Sequence, residues 1–151
     1  MLEIDVSSEI GHLEGVILHK PGIEIEQMIP DTIEKCLYSD LLNLNIAQKE
    51  YYYFEKVLSK WTKTFQIMDL LAEILKDEDV KLNLVNEVLE QERKPRLAEE
   101  LLSMDPKELA RVLIEGFKDE LSPLYNLFFT RDATSTIYNE VLIHSMQFKV
   151  R

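Results

Sequence analysis

One short stretch of the sequence brings together side chains that could bind a ligand. Asn126, Phe129 and Asp132 place an amide, an aromatic ring and a carboxylate in close succession, where an apolar run leads into a polar turn. An amide and a carboxylate supply hydrogen-bonding groups, and a ring supplies an apolar face. Considered alone, however, Asp132 beside Arg131 is more typical of a turn residue in an ion pair, and Phe129 of a core ring. Both interpretations remain open at this point.

The other reactive residue types form no recognisable site. No pair of cysteines or histidines has the spacing of metal ligands, and the four glycines form no phosphate-binding motif. Of the three histidines, His12, His19 and His144, the last two lie in strand-like apolar runs, which favours structural roles. The single cysteine, Cys36, is expected on a helix and buried. We therefore predict no metal site and no reactive thiol.

The elements that would position the candidate residues begin with an α/β unit. A β-branched run at 15–19 ends at a Lys-Pro-Gly turn and predicts a buried strand. Asp31 is predicted to cap a short helix over 32–38, and apolar residues at helical spacing predict a longer helix over 46–60. Alternating apolar and polar residues at 64–68 then predict a second strand.

The middle of the chain is predicted to be helical, because it is rich in Leu, Glu, Lys and Ala. Asp105 is placed to cap the last helix, and Gly116 to end it. Short helices with apolar stripes must pack on one another, which predicts a small bundle. The predicted helices cover 70–76, 80–92, 96–104 and 106–115.

Strand patterns return after the helices, so that the helices form an insertion between β segments. The predicted strands cover 127–130, 136–138 and 141–144. The fold class is therefore α/β. We divide the chain into a strand-helix-strand unit over 1–68, a helical insertion over 69–121, and returning strands over 122–151 that carry the candidate residues.

Composition narrows the classes of partner. With 28 acidic and 17 basic residues, the chain has a formal charge of -11, which repels nucleic acid and anionic membranes and favours a cationic ligand. The lone cysteine favours a reducing compartment, and no stretch has the character of a signal peptide or a membrane span. A cytoplasmic protein that binds neither nucleic acid nor membrane is expected.

Three stretches together carry a family resemblance. Residues 123–132, with the sequence Pro-Leu-Tyr-Asn-Leu-Phe-Phe-Thr-Arg-Asp, closely resemble the signature of arginine deiminases, which belong to a larger group of guanidino-modifying enzymes. Residues 9–22 resemble the N-terminal strand of these enzymes, and 47–50 their first long helix. The three matches occur in the right order, and the helical insertion lies where arginine deiminases carry one. The resemblance extends from Glu9 to Arg151.

The resemblance implies a fold and a reaction. It implies the N-terminal part of a five-bladed α/β propeller of the pentein type, with an inserted bundle of short helices and no metal or organic cofactor. The reaction is the hydrolysis of L-arginine to L-citrulline and ammonia, in which a cysteine thiolate attacks the guanidinium carbon. The catalytic cysteine and histidine are expected beyond Arg151. The chain is accordingly expected to be a truncated portion of the enzyme, or a relic of it, and to be inactive alone.

The resemblance also implies roles for four residues. Asp132 would pair with the substrate guanidinium, because a carboxylate can accept two bonds from this planar cation. It is the one residue of the catalytic site expected in this chain. Phe129 would pack on the apolar part of the substrate side chain, Asn126 would hydrogen-bond its amino-acid end, and Arg151 would meet the α-carboxylate.

The chain departs from the family pattern at three positions. Ala133 stands where Pro or Thr is usual, Ser39 where an Asp precedes Asp40, and Glu140 where Gly often precedes Val141. If that Gly serves a positive-φ turn, Glu140 alters the turn or destabilises it.

The sequence also allows two functions other than that of an arginine deiminase. One is a non-catalytic ligand-binding or interaction protein that has kept the fold. The other is a different guanidino enzyme, such as an amidinotransferase, against which the helical insertion argues. A blade separated from a closed propeller exposes apolar faces and unpaired strand edges. We therefore also predict that the chain associates with further copies of itself.

Overall fold

A computed structural model describes residues 4–30, 33–34 and 36–145, and in these residues it contains four strands and five α-helices. Two short 3-10 helices lie at Ile23–Ile25 and Pro95–Leu97. The mixture of strands and helices agrees with the predicted α/β class. The elements are β1 (Gly15–Leu18), α1 (Leu44–Leu58), β2 (Lys63–Gln66), α2 (Ile67–Ile74), α3 (Glu78–Glu92), α4 (Ala98–Ser103), α5 (Pro106–Glu115), β3 (Thr134–Ile137) and β4 (Glu140–Ile143).

The first unit is the predicted strand-helix-strand arrangement. β1 and β2 form a parallel pair, with Gly15 opposite Lys63 and Leu18 opposite Gln66. α1 connects them and begins at an Asn43 cap, whose side-chain oxygen accepts a bond from the Ile46 amide at 3.1 Å. The predicted second strand ends two residues too late, because α2 begins immediately at Ile67. Met68 and Leu71 of α2 pack against the helical core rather than continuing the sheet.

Helices α2 to α5 pack around one apolar core, which confirms the predicted helices and their association. Asp105 caps α5 as predicted, because its carboxylate accepts bonds from the amides of Lys107 and Glu108 at 3.0 and 3.2 Å. Gly116 follows the last residue of α5 with a φ of 86°. The buried core residues are Ala72, Leu75, Val85, Leu89, Leu97, Leu101, Leu109, Ala110, Val112, Leu113 and Leu121.

The last described element is an antiparallel hairpin. β3 pairs with β4 from Thr134 opposite Ile143 to Ile137 opposite Glu140. Beyond β3, Tyr138 forms two backbone hydrogen bonds with Val6, at 2.8 and 2.9 Å, so that the N-terminal segment runs beside the hairpin. Glu140 lies in β4, and the positive φ of this turn falls on Tyr138 at 51°. The turn therefore does not force Glu140 into the conformation that a glycine would favour.

Two predicted elements are absent from the described residues. Residues 127–130 form turns and not a strand. The described part of 32–38 also forms turns, with a φ of 65° at Leu37 that a helix cannot accommodate. The predicted cap Asp31 lies outside the described residues, as do Thr32 and Lys35. Within the described ranges, no helix is both long and apolar enough to cross a bilayer.

Candidate functional site

The candidate residues lie on consecutive turns that follow the helical core. The Phe129 amide donates to the Asn126 carbonyl at 3.0 Å, and the Asp132 amide donates to the Phe129 carbonyl at 3.1 Å. These local bonds satisfy the backbone without a strand partner, which explains why the apolar run at 127–130 does not join a sheet. They also bring Asn126, Phe129 and Asp132 into one compact segment. We call residues 126–132 the signature turn.

A small apolar platform supports the signature turn. Ile25, Met28 and Cys36 are its buried members, and Tyr125 and Phe128 pack against them. These residues come from two distant parts of the chain, so that the platform ties the segment after β1 to the segment after α5. The signature turn is consequently held by long-range packing.

Two hydrogen bonds fix Tyr125 and Asn126, at the start of the signature turn. The Tyr38 hydroxyl donates to the Tyr125 carbonyl at 2.8 Å, and the Asn126 side-chain amide donates to the Cys36 carbonyl at 3.1 Å. Asn126 is buried, with 8% of its surface exposed. In this structure its amide therefore supports the turn from within. The sequence gives no sign of this bond, because its partners lie 90 residues apart.

Phe129 presents part of its ring to solvent. Its exposed fraction is 43%, and its ring centroid lies 4.4 Å from that of Phe128, at an interplanar angle of 37°. Phe128 in turn lies against Tyr38, with centroids 6.1 Å apart. Tyr38, at one end of this row of three rings, is held by its hydrogen bond, whereas Phe129, at the other end, is exposed to solvent. Phe129 is thus not the fully buried core ring that its neighbourhood alone would suggest.

The residues that follow Phe129 are oriented by two further contacts. The Thr130 hydroxyl donates to the Ile17 carbonyl of β1 at 3.2 Å. Arg131 forms an ion pair with Glu9, and not with the adjacent Asp132. Asp132 is exposed. The carboxylate and the accessible ring are separated by only two residues, an arrangement that suits a ligand with a cationic and an apolar part. Arg151, the fourth predicted site residue, lies outside the described residues.

A buried acid and a buried histidine lie near the platform, and the sequence did not predict their pairing. His19 Nε2 and Glu24 Oε1 lie 2.9 Å apart, and the same carboxylate oxygen accepts a bond from the Gly22 amide at 2.7 Å. Both side chains are almost fully buried. The predicted structural role of His19 is consistent with this pairing, which closes the turn between β1 and the first 3-10 helix.

The hydroxyl groups near the site titrate at high pH. Desolvation by burial, followed by the charge of Glu55, raises the pKa of Tyr51 to about 12, against a lowering by a hydrogen bond to the His19 backbone. Burial also raises the pKa of Tyr125, with a smaller contribution from Cys36. Both phenols are therefore neutral at physiological pH.

Cys36 is buried as predicted, with 4% of its surface exposed, but it lies in a turn and not on a helix. Among the described residues, no three His, Cys, Asp or Glu side chains are grouped so as to hold a metal ion.

The chain is similar in sequence to known proteins. It is 31% identical to the arginine deiminases of Pediococcus pentosaceus and Bacillus cytotoxicus, and 30% identical to that of Limosilactobacillus fermentum. Each alignment covers 98% of this chain and 43% of the relative, so that the chain spans less than half the length of the relatives it matches. No family model matches the chain. The matches confirm the resemblance that the three stretches indicated.

Proposed function

We propose, from the premise that this chain is a homologue of the N-terminal portion of arginine deiminases, that it supplies part of the arginine-binding site of such an enzyme. The reaction of the whole enzyme is the hydrolysis of L-arginine to L-citrulline and ammonia. The attacking cysteine thiolate would come from a part of the enzyme outside residues 1–151. A cytoplasmic location, a five-bladed propeller in the whole enzyme and the absence of a cofactor belong to the same proposal.

The observation that carries the proposal is the form of the signature turn. It buries Asn126 and exposes part of the Phe129 ring together with Asp132. A guanidinium is planar, always charged and rich in forked N–H donors, so that it binds best to a carboxylate. The three methylene groups of arginine need an apolar surface, which an exposed ring provides.

We assign a separate contact to each part of the ligand: the guanidinium, the methylene groups and the amino-acid end. Asp132 accepts hydrogen bonds from the guanidinium, and Phe129 packs on the methylene groups. Asn126 hydrogen-bonds the amino-acid end of arginine, and its bond to the Cys36 carbonyl fixes the position of its side chain. Arg151 pairs with the α-carboxylate.

We predict that L-arginine binds weakly to residues 1–151 and that Asp132→Asn weakens binding by about tenfold. The substitution keeps the shape of the side chain but removes the charge, and a charge-assisted bond at an exposed site is worth about that factor. Titration calorimetry with L-arginine and with neutral L-citrulline measures the effect.

Asp119→Asn is the matched control, because Asp119 is also an exposed turn residue but lies outside the signature turn. It is expected to bind arginine like the parent chain. The role of Asp132 is refuted if Asp132→Asn and Asp119→Asn bind arginine equally well. No discrimination between arginine and citrulline by the parent chain would count against a guanidinium site.

We also propose that a second copy of the chain covers its exposed strand edges. Within the residues that the structure describes, β3 and β4 form a two-stranded sheet, and Ile143 on β4 is 84% exposed. Unpaired apolar strands recruit further strands. Sedimentation velocity at several concentrations should show dimers or larger species, and Ile143→Lys should shift them to monomer. Ile10→Lys is the control, since Ile10 is 98% exposed but outside any strand. A parent chain that remains monomeric throughout would contradict this proposal.

The alternative is a ligand-binding or interaction protein without turnover. The exposed apolar side chains on the α1 surface favour it, because single-domain surfaces rarely carry so many. These side chains include Ile46, Tyr53, Phe54 and Val57, and Trp61 continues the row just beyond the helix. Restoration of turnover by a partner fragment, described in the Discussion, separates the two functions.

A further inference from the structure

The signature turn itself contains an arginine side chain, which resembles the proposed ligand. Arg131 carries the same guanidinium group as arginine, and it is adjacent in sequence to Asp132. A side chain so close to the carboxylate has a high effective concentration there, which a free ligand at low concentration cannot match. An arginine site built on Asp132 must therefore keep Arg131 elsewhere.

The structure shows where the Arg131 guanidinium is held. Its Nη2 atom lies 2.9 and 3.0 Å from the two carboxylate oxygens of Glu9. Both side chains are largely exposed, at 81% for Arg131 and 68% for Glu9. Packing does not fix the Arg131 side chain in this orientation, so that the charge of Glu9 is the feature that directs it.

Glu9 is itself held in place by the backbone. The N-terminal segment that carries it is hydrogen-bonded to the hairpin through Val6 and Tyr138, in both directions. This pairing brings the segment alongside the residues that follow the signature turn. The N-terminal segment thus places the Glu9 carboxylate next to the Arg131 guanidinium.

We propose that Glu9 is a positioning residue for arginine binding, which sequesters Arg131 and so prevents it from competing with the ligand for Asp132. The inference rests on the proposed function. Without Glu9, the Arg131 guanidinium turns toward Asp132, and arginine must displace it. Glu9 itself does not touch the ligand.

The expected effect is set by the strength of an exposed ion pair. Glu9→Gln should weaken L-arginine binding by about 1.5- to 5-fold. Arg131→Gln should bind at least as tightly as the parent, because the competitor is gone. In the Arg131→Gln background, Glu9→Gln should leave the affinity for L-arginine unchanged. Calorimetry on the parent, the two single variants and the double variant completes the cycle.

The double variant separates this mechanism from two simpler ones. If Glu9 acts only through its negative charge, Glu9→Gln weakens binding by the same factor in both backgrounds. The control Glu14→Gln, at another exposed position of the N-terminal segment, would then have a similar effect. If the ion pair merely stiffens the turn, Arg131→Gln alone weakens binding as much as Glu9→Gln. Either result would overturn the inference.

A second measurement tests the inference independently of arginine affinity. In a crystal structure of Glu9→Gln, the Arg131 guanidinium should lie within about 4 Å of an Asp132 carboxylate oxygen, which is the range of an ion pair. A guanidinium that stays away from Asp132 refutes the sequestering role of Glu9. A parent chain that does not bind arginine refutes the proposed function instead, and the crystal structure still decides the inference.

Discussion

A polypeptide of residues 1–151 is expected to release no citrulline from L-arginine above the uncatalysed rate. Covalent hydrolysis of a guanidinium needs an accessible thiolate and an acid that protonates the departing ammonia. The sequence contains one cysteine, and its thiol is buried in the platform beneath the signature turn. Burial keeps the Cys36 thiol out of reach of a bound arginine, so that Cys36 cannot serve as the nucleophile. Loss of a nucleophile lowers turnover by several orders of magnitude.

The assay has two informative companions. Cys36→Ser should behave like the parent, and turnover that the parent has and Cys36→Ser lacks would make Cys36 the nucleophile and refute this prediction. The second companion is the parent mixed with the C-terminal portion of the Pediococcus pentosaceus enzyme, beyond the 43% that aligns with this chain. Citrulline that forms only in the mixture would support the proposed division of the site. Its absence would favour the non-catalytic alternative.

The helices were predictable because their signals are local. The cap, the proline and the terminal glycine of α5 lie within one short stretch, and each determines the backbone of its own neighbours. The strand-helix-strand order of the first unit was predictable for the same reason, and this order leaves few arrangements other than the observed parallel pair. The predictions at these elements needed no knowledge of the rest of the fold.

The signature turn was mispredicted because short apolar runs are ambiguous. Four successive residues at 127–130 fit a buried strand, but they also fit a series of turns whose rings pack on one side. Packing against the platform favours the turns over the strand, and the buried members of the platform lie far away in sequence. The position of Asn126 depends on the Cys36 carbonyl, which no pattern in the sequence links to it. The resemblance selected the candidate residues, whereas it gave no indication of the contacts that support them.

The ion pair of Arg131 illustrates the same limit. The sequence suggested a pair between neighbours, because Asp132 follows Arg131 directly. The structure pairs Arg131 with Glu9, which is 122 residues away. The backbone pairing of Val6 with Tyr138 makes this contact possible, and an isolated two-residue bridge has no recognisable sequence pattern. Long-range contacts between exposed, irregular segments are thus the part of the site that the sequence does not predict and the structure shows.

Gly116→Ala is expected to lower the free energy of unfolding by about 2–4 kcal/mol. Gly116 has φ and ψ of 86° and 169°, a region that is almost exclusive to glycine. A Cβ atom there would lie 2.8 Å from the Leu121 carbonyl oxygen and 3.0 Å from Pro123 Cγ. The first of these neighbours is backbone and cannot move aside cheaply. Urea denaturation of the parent and the variant measures the loss.

Gly11→Ala is the matched control, because its new Cβ would meet only the exposed Ser8 side chain, at 3.3 Å, and its backbone is not in the positive-φ region. It should change the free energy of unfolding by less than about 0.5 kcal/mol. Equal stability of Gly116→Ala and the parent would show that the chain after α5 can take another path. That path matters for binding, because the Leu124 amide bonds back to the Ile114 carbonyl at 2.9 Å and so directs the chain into the signature turn. Gly116→Ala should therefore weaken arginine binding as well, even where the variant remains folded.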